Sequence, residues 1–399
     1  MLFNIFINFI GYHFYKIKRK QKGNTMKMLN SLPLACALAS GMAIPQFALA
    51  DDAFEFHGYA RYGIQYEEDT NTRIQAVGET GDGAGRLGNE GDGGEFKFVK
   101  NFEGDNGTQF DLGIMIEHWD AENGDMGLKQ FYAGGTNLFA SQPNAYFWAG
   151  RAFHNRIQQG INDYYFSWAD GQGIGVKGLE LSPSVTTELG IVEQSSLSSS
   201  TNFAFTSITN FKISDSVNMD VVADYGFTNN DSDDENATLI GTRINIGDHK
   251  VYLRYSDNTE NDVLNSWNRR EGQSSLLATV EGSFKLSDNT GLEYNTTVQD
   301  IDSDIETDER LAYNIILRPT HQWNAIHSTW VEVGYSVVDF KDEQENNDAW
   351  KVTLSQNIAV GGFAWSRPML RFYVTAGEET NYGVTENPVI LGGMFEAWW

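Results

Sequence analysis

The sequence predicts an all-β protein that folds as a transmembrane antiparallel β-barrel, and three observations favour this class. After residue 50, alternating segments recur, with ionisable side chains on one face and apolar or aromatic side chains on the other. Aromatic residues make up 13% of the chain, which suits the girdles at the two membrane interfaces. The final strand ends on an aromatic residue, Trp399, on its apolar face. Alternation alone would also fit a soluble β-sandwich, so the prediction rests on the three observations together.

The first 50 residues are predicted to lie outside the barrel. Residues 26–50 begin with the basic Lys27, continue with an apolar middle and end in the small-residue sequence ALA, as a secretory signal peptide does. A membrane anchor is the alternative, although the apolar run is too short to span a bilayer. Residues 1–25 are interpreted as a mispredicted or extra N-terminal extension. Residues 51–399 would then form the exported outer-membrane barrel.

Charge and cysteine content narrow the possible partners and the compartment. The chain has a formal net charge of −26, which argues against nucleic acid and anionic lipid headgroups as binding partners. Its single cysteine, Cys36, falls in the predicted leader, so the exported part has no disulfide. An exported chain without disulfides suits the outer membrane of a Gram-negative bacterium.

The predicted strands follow one another with turn-rich pieces of Gly, Asn, Asp and Ser between them. Alternating segments include residues 54–62, 110–117, 220–227, 251–256, 365–376 and 393–399. The alternation places Trp365 and Arg367 on the polar face of a late strand, and Trp398 on the inner face of the last. With about ten residues per strand, the chain after residue 50 has room for 16 or 18 strands, and length does not decide between them.

The polar faces of the first strand and of the late strands carry aromatic side chains next to ionisable side chains. Tyr59 lies beside Arg61, Trp365 lies beside Arg367, and Trp398 faces the same lumen. A barrel of this size encloses an aqueous channel. The C–H faces of a pyranose stack on aromatic rings, while its hydroxyls accept and donate charge-assisted hydrogen bonds. Because a pore for small ions needs only the charges, this combination favours a saccharide as the substrate.

Several motifs, taken in order between residues 54 and 399, carry a specific resemblance. The segments FHGYARYG, GRLGNE, WAGRAFHNR, DYYF, WSRP and the final WW resemble the maltoporin family of sugar-specific outer-membrane channels. The resemblance implies a homotrimer of eighteen-stranded barrels with the third loop folded inward as a constriction. It also implies a ribbon of aromatic side chains, the greasy slide, which guides sugar past a polar track without any cofactor.

The resemblance assigns two groups of lumen residues in this sequence. The slide aromatics are Tyr59, Trp119, Trp365 and Trp398. The polar track consists of Arg61, Arg86, Glu95, Lys129, Arg156, Asp163 and Tyr165. Trp119 is expected to extend into the channel of a neighbouring subunit. Lys129 stands where the family has an arginine, so it keeps the charge but loses the planar two-pronged donor.

Some positions depart from the family pattern. A slide tyrosine is replaced by Gly93, a slide phenylalanine falls near Ile240, and a track aspartate appears as Gln158. The first-loop disulfide of the family is also missing. With two aromatic positions lost, a short or different saccharide fits the sequence better than a long maltodextrin.

Two other function classes stay open at this point. The arginines could form a charge ladder in a general diffusion porin, and outer-membrane barrels also include enzymes and adhesins. The sequence contains neither G-x-S-x-G nor H-E-x-x-H, so a non-enzymatic channel is predicted. The expected partners are an oligosaccharide, outer-membrane lipid and further copies of the chain.

Overall fold

The structure is a computed structural model that describes residues 54–67, 73–119, 124–195, 201–228, 236–265, 269–341, 345–361 and 365–399. The predicted leader, residues 1–25 and 26–50, lies outside these ranges. In the described part of the chain, no helix has the length and apolar character needed to cross a membrane.

Strands dominate the described ranges, with two short 3-10 turns at Asp105–Gly107 and Glu306–Asp308. In chain order the strands are β1 (Phe54–Tyr66), β2 (Gly93–Glu103), β3 (Gln109–Trp119), β4 (Gly127–Thr136), β5 (Tyr146–Ala152), β6 (Ile157–Gln158), β7 (Tyr165–Ser167), β8 (Gly171–Ser182), β9 (Val185–Ser195), β10 (Thr201–Lys212), β11 (Val217–Thr228), β12 (Ala237–Ile246), β13 (His249–Thr259), β14 (Arg269–Ser287), β15 (Thr290–Ser303), β16 (Arg310–Gln322), β17 (His327–Phe340), β18 (Asn347–Ala359), β19 (Met369–Asn381), β20 (Val384–Glu386) and β21 (Val389–Trp398).

Antiparallel pairing of successive long strands produces a closed ring. The last strand, β21, pairs with β1 in the register Tyr59 to Trp398, which closes the sheet. Strands β20 and β21 both pair with β19 and act as two parts of one strand, while β6 and β7 form a hairpin of their own. The ring therefore has eighteen strands, and the predicted transmembrane antiparallel barrel is confirmed.

The two faces of the barrel wall differ as the alternation predicts. On β19, Leu370 and Phe372 are about half exposed on the outer face, whereas Arg371 is buried on the inner face. At the C-terminus, the ring of Trp399 packs outside against Phe56, with 5.3 Å between ring centroids. The ring of Trp398 lies inside the barrel, so the two final tryptophans face opposite environments.

One strand boundary differs from the prediction. Trp365 and Arg367 lie in the connection before β19, which begins only at Met369. Pro368 has no N–H to donate to a β-ladder, so pairing begins after it. Both side chains still enter the lumen, but from a turn and not from a strand face.

The third loop, residues 153–170, folds into the barrel as expected. Phe166 is fully buried, with its ring centroid 5.3 Å from that of Tyr252 on β13. The imidazole Nε2 of His154 lies 2.5 Å from the hydroxyl oxygen of Thr206 on β10. Burial lowers the pKa of His154 to about 3, so this imidazole is neutral and serves packing.

The first loop, between β1 and β2, also folds inward, which the sequence analysis did not predict. Its apolar side chains Ile74, Ala84 and Leu87 are buried at 0–2% exposure. The backbone N–H of Asp82 donates to the carbonyl of Asn162 in the third loop at 2.7 Å. The two loops therefore meet inside the barrel.

Candidate functional site

A cavity of about 440 Å³ lies between the two inward loops and the wall formed by β21, β1, β2 and β3. Its lining combines aromatic and ionisable side chains: Tyr59, Arg61, Arg86, Glu95, Trp119, Arg156, Gln158, Asp163, Tyr165, Trp365, Glu396 and Trp398. A second cavity, of about 730 Å³, shares Arg61, Trp119 and Asp163 with the first. Ten of the eleven residues that the sequence analysis selected line the first cavity.

Four of these side chains form a continuous row of rings. The ring centroids of Trp119 and Tyr59 are 6.1 Å apart, those of Tyr59 and Trp398 are 6.5 Å apart, and those of Trp398 and Trp365 are 6.3 Å apart. The angles between successive ring planes are 35°, 25° and 29°. This row runs from the end of β3 to the turn before β19, and is named the ring row below.

Strand register sets the order of the lumen side chains. Tyr59 on β1 stands opposite Trp398 on one neighbouring strand and opposite Glu95 on the other. Side chains two positions apart on a strand point to the same face. The next inward row therefore places Arg61 opposite Glu396 and Gly93. Rings and charged groups thus alternate along one wall of the cavity.

Glu396 is the centre of an ion-pair network that holds the site together. Its carboxylate accepts hydrogen bonds from the Tyr59 hydroxyl at 2.8 Å and from the Arg86 guanidinium at 2.7 Å. It also accepts hydrogen bonds from Arg371, at 3.0 Å, and from Arg367. The Arg367 guanidinium lies 4.4 Å from the Trp398 ring centroid, which adds a cation–π contact to the network.

The sequence analysis did not select Glu396 as a site residue. Its inward position on the last strand, beside Trp398, was the signal that could have found it. Three guanidiniums that converge on one carboxylate fix both its position and theirs, and the network thereby holds the Tyr59 ring in place.

The first loop brings Arg86 to the cavity. The N–H of Leu87 donates to the carboxylate of Glu332 at 2.7 Å, and Thr353 donates to the Leu87 carbonyl at 2.9 Å. Burial opposes the charge of Arg86, but the nearby carboxylates of Glu396 and Asp163 raise the pKa of its guanidinium well above the usual value. Arg86 therefore stays cationic although it is almost fully buried.

Two charged groups beside Tyr59 keep hydrogen-bonding capacity for a ligand. Arg61 donates from Nε to the Gly91 carbonyl at 2.7 Å, while the nearest carboxylate oxygen, on Asp163, is 3.8 Å away. Among the described residues, Glu95 makes no hydrogen bond or ion pair. This guanidinium and this carboxylate lie on either side of an aromatic ring and have unused hydrogen-bonding positions. They can therefore bind the hydroxyl groups of a sugar that stacks on the aromatic ring.

The third loop contributes the opposite side of the cavity. Arg156 forms an ion pair with Asp170, and its guanidinium lies 3.3 Å from the ring centroid of Phe153 and 5.4 Å from that of Tyr165. Gln158 donates to the carboxylate of Asp163 at 2.5 Å. These bonds fix Arg156 and Asp163 at the cavity wall.

Three further positions are as follows. Lys129 is not among the residues that line the first cavity, and its ammonium lies 3.2 Å from the carboxylate of Glu117. The ring of Trp119 lies beside Tyr59 of the same chain, and its extension into the channel of a neighbouring subunit stays a prediction. Ile240 is 60% exposed on the outer face, so no ring at that position could reach the lumen.

The described residues contain no group of three or more His, Cys, Asp or Glu side chains arranged to hold a metal ion. The site consists of rings, guanidiniums, carboxylates and amides.

Comparison with known proteins places this barrel among porins. A family model described as LamB porin matches residues 54–399. The chain is also similar to Pseudomonas aeruginosa OccK3 (OpdO), with 8% identity, a TM-score of 0.51, and coverage of 88% of this chain and 96% of that chain. A second structure, Pseudomonas aeruginosa OccD3 (OpdP), has 11% identity, a TM-score of 0.49, and coverage of 88% and 92%. At such identities the OccK3 likeness shows the fold alone.

Proposed function

The chain belongs to the LamB porin family, and from this premise we propose that it is a passive, saccharide-selective channel. Family membership and the barrel fold make it a porin of the bacterial outer membrane; selectivity for sugar is the proposal. The observation that carries it is the ring row, four aromatic side chains whose centroids follow one another at 6.1–6.5 Å along one wall of the cavity.

Transport would proceed by exchange of similar contacts. The C–H face of a pyranose stacks on a ring while its hydroxyls bind Arg61, Glu95 and their neighbours through charge-assisted hydrogen bonds. One step along the ring row replaces one stacked ring with the next. Since successive positions offer similar contacts, the sugar moves down its concentration gradient without an energy source or cofactor.

The network around Glu396 supports this mechanism because it fixes the groups before the sugar arrives. Arg86 and Tyr59 are both bound to the same carboxylate, and neither has to reorganise to receive a ligand. A prearranged site loses less conformational entropy on binding.

The proposed substrate class is an oligosaccharide of the maltose type, and the proposed assembly is a homotrimer. Both proposals are based on the resemblance of the sequence motifs to the maltoporin family. Cross-linking of the purified protein in detergent, followed by mass determination, tests the assembly.

The decisive test is current through the purified protein in planar lipid bilayers. We expect maltose and maltohexaose to block the ionic current reversibly at millimolar concentration. The same titration with sucrose and with chitin oligomers compares the affinities of the channel for different sugars. A general diffusion porin would conduct ions without any sugar block. A barrel without sustained conductance would instead fit an enzyme or adhesin.

A further inference from the structure

The turn at the tip of the third loop, residues 159–162, is held by one strand of the inner wall, β14. The backbone N–H of Gly160 donates to the carboxylate of Glu281 at 3.0 Å. Two positions earlier on the same strand face, the hydroxyl of Thr279 accepts a hydrogen bond from the side-chain amide of Gln159 at 3.1 Å. Glu281 and Thr279 are both buried, at 5% and 1% exposure. Two side chains of one strand therefore hold the tip of the loop.

The carboxylate of Glu281 is itself held by the neighbouring strand, β13. Its Oε1 accepts a hydrogen bond from the hydroxyl of Tyr252 at 2.7 Å and lies 3.2 Å from the ammonium of Lys250. Its other oxygen, Oε2, receives the N–H of Gly160. A carboxylate that is fixed through one oxygen presents the other at a defined place. The wall therefore decides where the tip of the loop lies.

The same turn lies where the third loop faces the opposite side of the cavity. Asp163 follows the turn directly, and its carboxylate lies 3.8 Å both from Nη1 of Arg61 on β1 and from Nε of Arg86 in the first loop. A Cβ atom built on Gly160 would lie 3.8 Å from the indole of Trp365. Because these neighbours belong to other parts of the barrel, a shift of the turn changes the gap between them and the third loop.

We propose that Glu281 is a positioning residue that sets the width of the channel at the cavity by holding the backbone of the third-loop tip. This inference rests on the proposed channel function and deepens it by naming a residue that controls selectivity without touching the sugar. Loss of the bond to Gly160 lets the tip move away from the opposite wall. Ions then pass more easily, while a bound sugar loses its contact with Asp163. Ion conductance and sugar block therefore change in opposite directions.

The test compares three variants in planar lipid bilayers. Glu281→Leu removes the acceptor, so ion conductance should rise and maltohexaose block should weaken about tenfold, because the sugar loses a hydrogen bond to the carboxylate of Asp163. Glu281→Gln keeps an oxygen that accepts the N–H of Gly160, so both properties should stay close to those of the wild type. Thr279→Val removes the second support of the tip; conductance should rise less, and block should weaken about threefold.

The matched control is Asp220→Leu. Asp220 is also a buried carboxylate of the inner wall, but Asn210 and Arg243, which donate to it at 2.7 and 2.8 Å, lie on the two adjacent strands of the wall. Glu281→Leu and Asp220→Leu should both lower the unfolding temperature in detergent, because each leaves buried polar partners unsatisfied. Only Glu281→Leu should raise the ion conductance and weaken sugar block.

Two outcomes overturn the proposal. A lowered unfolding temperature with unchanged conductance in Glu281→Leu would mean that the carboxylate only stabilises the barrel. An equal change of conductance in Asp220→Leu would mean that any lost wall carboxylate has this effect. If Glu281→Leu does not assemble, Thr279→Val carries the same two readouts, and unchanged conductance in that variant counts against the proposal. If no sugar blocks the wild type, the proposed function fails, while the conductances still decide whether Glu281 sets the width.

Discussion

Replacing Tyr59 separates the contribution of its ring from that of its hydroxyl. The ring lies between Trp119 and Trp398 in the ring row, and the hydroxyl bonds to Glu396 and Arg86. Tyr59→Ala removes both, whereas Tyr59→Phe removes only the hydroxyl. A stacked sugar face covers roughly 40 Å² of ring, worth about 1 kcal/mol at 25 cal/mol per Å². The stacking geometry adds about 1 kcal/mol. Tyr59→Ala should therefore weaken sugar binding by about 2 kcal/mol, or roughly 30-fold.

The assay is titration of the ionic current with maltohexaose, for both variants and the wild type. Tyr59→Phe should stay within about threefold of the wild type, because the Glu396 carboxylate keeps its bonds to Arg86, Arg367 and Arg371. Ion conductance should not fall in either variant, since neither substitution narrows the passage. Two results would refute the reasoning: an equal loss in both variants, or a loss of ion conductance parallel to the loss of sugar block.

Three further predictions concern the same passage and its supports. Trp365→Ala should weaken maltohexaose block about tenfold and Trp365→Phe much less, because the phenyl ring still stacks on the sugar. Equal losses in the two variants would contradict this, because they would show that the indole N–H and not ring stacking binds the sugar. Glu396→Gln should destabilise the folded barrel by about 3 kcal/mol, because it leaves the buried Arg86 and its neighbours without their counter-charge; an unchanged unfolding temperature in detergent would contradict this. Burial raises the pKa of Glu79 from 4.5 to about 8, so the folded protein holds a proton that the unfolded chain releases. The stabilisation from Glu79 is then complete below pH 4.5 and is lost as the pH rises through about 8. The unfolding temperature should fall across this window, and Glu79→Gln should flatten the dependence.

The barrel and the inward rings could be predicted because they depend on local alternation. Tyr59 and Trp398 stand opposite each other on β1 and β21, and each could be assigned to the lumen from its own strand. Trp365 was assigned to the lumen correctly but to the wrong element, since alternation continues through WSRP although pairing begins only at Met369. A two-residue period shows which face a side chain takes but does not show where a ladder begins.

The inward fold of the first loop could not be predicted, because its partners are far away in sequence. Leu87 is fixed by Glu332 and Thr353, more than 240 residues later. The role of Glu396 was missed for the same reason, since its cations come from the first loop, from the connection before β19 and from β19 itself. The pairing of Gly93 with Trp119 depends on the register of β2 against β3, which periodicity alone does not define.

The backbone bond between Asp82 and Asn162 has a consequence for how selectivity can change. With the first and third loops joined, the ring-lined cavity lies beside β21, β1, β2 and β3. On the proposed function, a sugar in this cavity does not meet the inner faces of strands that the third loop covers, such as β13 with Tyr252. Substitutions on those faces should then act through the anchoring of the loops, whereas substitutions in the cavity lining should act on the sugar directly.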